Sequence, residues 1–207
     1  MCQLSMLRSD FDLDTATHWA GEGVVDTLLD KSWIHMRSGG RYGLPSAVVA
    51  FVQEAQSESA LTQRTARHAA FFASMCASLD PTGAGFHTLP VWGLESDLWA
   101  ALPNVQDQDD RVAILVAVGH LTSRHERLAD ELTVQTPGAT SLNSALRLLM
   151  LGDCEDERGQ YTRAARAYDE LSKLLPTDHP TALTAQASLL GIQIKLGEKS
   201  TQDAEPA

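Results

Sequence analysis

Two apolar stripes near the C-terminal end, separated by one glycine and closed by one proline, constrain this chain more than any other feature. Leu142, Leu146 and Leu149 are spaced four and three apart. Gly159 interrupts, and then Tyr161, Ala164, Ala165, Tyr168, Leu171 and Leu175 form a second stripe that Pro176 stops. Residues three and four apart share a helix face, so the spacing predicts an antiparallel helical hairpin. Ala164 is expected to face Gly152 or its neighbours across a close crossing. A further stripe, Ala185, Leu189, Ile192 and Leu196, predicts a third helix over 181–196, and the polar stretch 199–207 reads as a disordered tail.

The first part of the chain is punctuated differently. Asp10, Asp12 and Asp14 precede a short helix over Thr15 to Ala20, which Gly21 and Gly23 end. Val24, Val25, Leu28 and Leu29 mark a second helix. Residues 33–36 and 41–44 flank Ser38-Gly39-Gly40, the pattern of a β-hairpin, with Ile34 and Met36 on one face. After Pro45, Val48, Phe51, Val52 and Ala55 recur at helical spacing. Helix, helix, hairpin, helix is a winged-helix-like order, assigned to residues 1–57. A helical region, 58–198, follows. It starts with a helix marked by Leu61, His68, Phe72, Met75 and Leu79 and stopped at Asp80-Pro81, then a loop holding one short helix from Gly93 to Leu102. Val112 to Val118 has the composition of a strand, but Asp107 to Asp110 supply N-terminal acids, and the segment predicts a helix running on to Arg127. The fold class is therefore mainly α: a small module of helices and one hairpin, then helical hairpins.

Composition narrows the function. The chain carries 27 acidic against 16 basic residues, a net charge of −11, which opposes a phosphate backbone and argues against nucleic acid as a partner. Val112 to Val118 is the longest strongly apolar run, too short to span a bilayer, and the N-terminal residues lack the pattern of a secretory signal, so a cytoplasmic location is expected. Cys2, Cys76 and Cys154 form no paired motif and read as packed thiols. The seven histidines do not cluster with carboxylates; His120 and His125, five apart, would point in different directions on one helix. The acidic run Asp153, Glu155, Asp156 and Glu157 reads as a solvated face. Trp33, Trp92 and Trp99 are candidate anchors for a partner. No catalytic, cofactor or metal residues are assigned, and the chain is read as a non-enzyme.

The residues 142–176 resemble a tetratricopeptide repeat, a helical pair of about 34 residues. Gly152, Gly159, Tyr161, Ala164, Tyr168 and Pro176 stand at the family's offsets, while Leu171 replaces the usual alanine. The resemblance implies that these six residues pack the repeat. The first segment looks like the winged-helix region of STAND-type signalling ATPases, a class that includes bacterial transcriptional regulators. The similarity rests on Gln3-Leu4-Ser5-Met6-Leu7 with Phe11-Asp12-Leu13, on Leu28 to Ser32, and on Arg41-Tyr42-Gly43-Leu44 leading into Ala47 to Val52. Arg67 to Phe72 and Leu98 to Gln106 are similar to the helices that follow. Two departures stand out: Pro45 and Ser46 occupy the place of a phosphate-sensing His-Asp pair, and Val49 that of an arginine. The sequence given holds no phosphate-binding G-x-x-x-x-G-K-[ST] loop.

The resemblance implies a regulatory module without its ATPase half, a fragment or remnant of such a regulator, holding a protein or peptide partner on stacked helices. The stripe of Leu183, Leu190 and Ile194 beside Leu189, Ile192 and Leu196 is too broad for one preceding hairpin to cover. Leu190 and Ile194 are therefore candidate interface residues for self-association or docking through 181–196. The alternative is a DNA-binding winged-helix factor, with Arg37 and Arg41 on phosphate.

Overall fold

A computed structural model of the chain describes residues 4–79, 93–122, 125–134 and 139–197. Among these the fold is mainly α, with ten α-helices and one two-stranded antiparallel hairpin, as the sequence predicts. The chain divides into two compact units, Met1–Gln106 and Asp107–Ala207.

In the first unit α1 (Leu13–Ala20) starts at Asp12, whose carboxylate accepts the Thr15 amide at 2.6 Å and satisfies a donor the helix leaves open. Gly21, at φ 92°, ends it. α2 (Glu22–Asp30) buries Val25 and Leu28 and leaves Val24 exposed. β1 (His35–Met36) pairs with β2 (Tyr42–Gly43), His35 opposite Gly43 and Met36 opposite Tyr42. The connection turns through Gly39 and Gly40, both at positive φ. Phe11 exchanges both main-chain hydrogen bonds with Tyr42, an isolated bridge on the edge of β2 away from β1. Ile34 is buried but Met36 is 69% exposed, so the shared face expected of them does not form. Two-residue strands are too short to sustain an alternating pattern.

Pro45 precedes α3 (Ser46–Glu54), which has the predicted apolar spacing yet buries Val52 alone; Phe51 is 64% exposed. α4 (Glu58–Ala77), capped by the Ser57 hydroxyl, buries His68, Ala69, Phe72, Ala73 and Cys76. It packs on α5 (Glu95–Ala101) and on the short 3-10 turn Leu4–Met6. Those contacts place α4 in the first compact unit, which runs on to Gln106. α5 is the short helix expected between Gly93 and Leu102. The predicted breaker at Asp80-Pro81 lies outside the described residues; α4 itself ends at Ala77.

The second unit begins with α6 (Gln108–Leu121), capped by the Asp107 carboxylate on the Asp110 amide at 3.0 Å. The apolar run is helical, and Val112, Ile114, Leu115, Val116, Ala117 and Val118 are all buried, so α6 is covered nearly all round. It does not continue to Arg127. Thr122, β-branched and poor in helices, takes an extended backbone, and α7 (His125–Thr133) starts afresh, which places His120 and His125 on different helices. α8 (Ser141–Glu157), α9 (Tyr161–Ser172) and α10 (Pro180–Lys195) follow. α8 packs against α6, α7, α9 and α10, so its burial spreads beyond the predicted stripe: Ala145, Leu148 and Met150 are buried while Leu142 is exposed. α9 ends at Ser172, before Pro176, although Leu175 still packs on the core. The stretch 199–207 lies outside the described residues. Among the described residues no helix is long and apolar enough to cross a membrane.

Candidate functional site

The helical hairpin and the helix after it share one core. Ala145 and Leu148 of α8, Ala164, Tyr168 and Leu171 of α9, and Ala182, Ala185 and Ile192 of α10 form a single buried cluster, with Tyr161, Ala165 and Leu189 packed on it. Four alanines at the centre let three helices approach closely. Gly152 is buried against the Tyr168 ring: a methyl group there would lie 2.6 Å from Cζ and 2.8 Å from Cδ1, inside van der Waals contact. What faces Gly152 is thus the Tyr168 ring, one helical turn beyond Ala164, and Ala164 sits fully buried in the same cluster.

The Tyr168 hydroxyl donates to Asp153 at 2.7 Å. Burial first, and then the adjacent carboxylate, push that hydroxyl well above the usual tyrosine range, so it remains a donor. Desolvation likewise pushes Asp153 above the ordinary carboxylate range, against the lowering effect of the hydrogen bond.

The acidic run does not behave as one solvated face. Gly159, at φ 70°, closes α8: its amide donates to the Asp156 carbonyl at 2.8 Å and the Gln160 amide to the Glu155 carbonyl at 2.7 Å. Glu155 is buried and meets Arg158 at 3.2 Å and Arg163 at 3.7 Å. Asp156 accepts both of its bonds from Lys195, at 2.5 and 2.8 Å, and the same ammonium lies 5.3 Å from the centre of the Tyr161 ring. Glu157 is exposed and takes part in none of these pairs. The reason is geometric: consecutive residues fan around the helix axis, and the last turn of α8 faces both α9 and α10. The partly exposed Asp156–Lys195 pair links α10 to the end of α8, and a pair so exposed is worth little in stability.

Pro176 is exposed beyond α9 and so does not pack the repeat as expected, though its carbonyl accepts the His179 amide at 3.0 Å. His179 then caps α10 through Nδ1 on the Thr181 amide at 3.2 Å. Along α10, Ala182, Ala185 and Ile192 face the core, Leu190 and Ile194 are half-buried, and Leu183 and Leu196 are 51% and 38% exposed.

In the first unit the sequence reading missed a buried polar centre. Asp97, with 0% exposure, accepts the Arg8 amide at 2.6 Å and the Ser9 amide at 3.0 Å, one on each carboxylate oxygen. His68 Nε2 lies 3.5 Å from the same carboxylate, and its ring packs edge-on to Trp19 and beside Phe72. The one sequence signal was local: a lone aspartate between Leu94 and the pair Leu98 and Trp99 in a short apolar helix.

Of the candidate anchors, Trp99 is buried with its Nε1 donating to Glu95, Trp33 is 40% exposed, and Trp92 lies outside the described residues. Cys76 and Cys154 are buried and their thiols are pushed up to about 12, mainly by burial, which keeps them from the reactive thiolate form. Arg41 donates through Nε and Nη2 to the Asp10 carbonyl, holding the β-hairpin to the N-terminal stretch. Neither a family model, nor a curated protein, nor a solved structure matches the chain.

Proposed function

We propose that this chain is a non-catalytic interaction module, a piece or remnant of a STAND-type regulator, in which tetratricopeptide-like stacked helices hold a protein partner. The observation that carries this reading is the asymmetry of α10. Its inner side closes the core through Ala182, Ala185 and Ile192, while Leu183 and Leu196 remain exposed and Leu190 and Ile194 half-exposed. Stacked repeats bury such stripes against the next element, and an apolar stripe left open marks a place where another surface docks. The close seat of Gly152 under Tyr168 and the turn at Gly159 support the repeat reading.

Two observations weigh against the DNA-binding alternative. Arg41 is engaged with the Asp10 carbonyl, and α3, which stands after the hairpin, has no lysine or arginine in Ser46–Glu54.

Sedimentation velocity on the wild type and on Ile194→Glu tests the reading. The wild type is expected to form a concentration-dependent larger species that the variant loses while keeping its helical spectrum. A wild type that stays monomeric at high micromolar concentration, with the variant unchanged in mass and folding, removes the case for this interface.

A further inference from the structure

The first unit contains an open cleft of about 1020 Å³ that the α10 interface does not involve. Val49 and Ala50 of α3 and Leu61 of α4 give it an apolar lining, and Arg8 and Arg37 give it charge. Both arginines are exposed, and among the described residues neither guanidinium makes an ion pair or a hydrogen bond. Two arginines open on one cleft are available to the carboxylates of a ligand, in a chain whose own acidic residues outnumber its basic ones by 27 to 16. Asp10 is the one carboxylate on the lining, which leaves the cleft net positive on a chain of net charge −11.

The apolar side is equally unbalanced. α3 buries only Val52, and Leu61 is 41% exposed on the neighbouring helix. Small-molecule pockets run to roughly 1,000 Å³ and enclose their ligand, so an open cleft of this size suits a longer occupant. Nucleic acid would also seek the arginines, but α3 offers it no cation and the net charge of −11 opposes it.

We propose that this cleft receives an acidic amphipathic segment of a partner protein, its apolar side chains on Val49, Ala50 and Leu61 and its carboxylates on Arg8 and Arg37. Charge complementarity selects the partner, and the apolar walls of α3 and α4 hold it in the manner of a helix in a groove.

Fluorescence anisotropy on the full chain tests this with a fluorescein-labelled amphipathic peptide of leucine and glutamate, its leucine and lysine counterpart, and a labelled DNA duplex. The glutamate peptide is expected to bind saturably and to weaken with salt. The double variant Arg8→Glu, Arg37→Glu should weaken it about tenfold, and Leu61→Glu should weaken it independently, both with unchanged circular dichroism. Ile194→Glu should bind the peptide as the wild type does, so failure of the α10 interface is distinguishable from failure here. Equal binding of the two peptides, no saturable binding of the glutamate peptide, unchanged affinity in the arginine variant, or preferential binding of the duplex would each overturn the proposal.

Discussion

The two units of this chain are built on opposite principles. In the second, each helix from α8 onward packs on the helix next to it in sequence, and the shared core is apolar, so the pattern along the chain is also the pattern in space. In the first, the organising contacts are remote and polar: Asp97 binds main-chain donors 88 and 89 residues away, and Phe11 pairs with Tyr42. Local apolar packing tolerates small adjustments along a stripe. A buried carboxylate holding two amides does not, because removing it takes the partner from both partly buried amides and from the buried His68 ring at once.

The largest effect is therefore expected in the first unit. Asp97→Ala strands the Arg8 and Ser9 amides and the His68 ring nitrogen, and should lower stability by about 3 kcal/mol, read from the urea midpoint. A loss under about 1 kcal/mol would show that the carboxylate is dispensable and the contrast false.

The second unit offers a sharper comparison, between two helical glycines. Alanine is favoured over glycine in a helix by about 1 kcal/mol. At Gly191 of α10 nothing lies within 4 Å of the added methyl, so Gly191→Ala should stabilise by roughly 0.5 to 1 kcal/mol. At Gly152 the methyl meets a buried, hydrogen-bonded Tyr168 ring that has little room to move. Overpacking there costs about 3 kcal/mol, so Gly152→Ala should destabilise by about 2 kcal/mol net. Thermal midpoints moving in the same direction for both variants would mean that the α8–α9 crossing is looser than described.

The same contrast explains what the sequence made legible. The hairpin around Gly159, the third helix and the helical character of Val112 to Val118 followed from spacing, because helices buried against sequence neighbours leave a periodic trace. Ala164 and Tyr168 were recognisable for the same reason, and Gly152 from the resemblance to a tetratricopeptide repeat, although which of them meet was not, since periodicity fixes a face but not the register between two helices. The end of α6 at Leu121 was hidden because Thr122 is a weak breaker. The role of Glu155 and Asp156 was hidden because it depends on Arg163 and Lys195 arriving from other helices. Asp97 and His68 left no periodic signal at all, and so neither did the packing of α4 on α5 that they join. A polar stretch suggests a boundary near Ser57, and the compact unit that holds α4, with His68 against Asp97, runs on to Gln106.

Residue-resolved amide hydrogen exchange on the full chain, comparing Asp97→Ala with Gly152→Ala, tests most directly whether each unit is held by its own kind of core. The expected result is faster exchange confined to residues 4–104 for Asp97→Ala and to α8, α9 and α10 for Gly152→Ala, as separate cooperative units require. Faster exchange throughout α8 to α10 in Asp97→Ala, or none near Arg8 and Ser9, would contradict it.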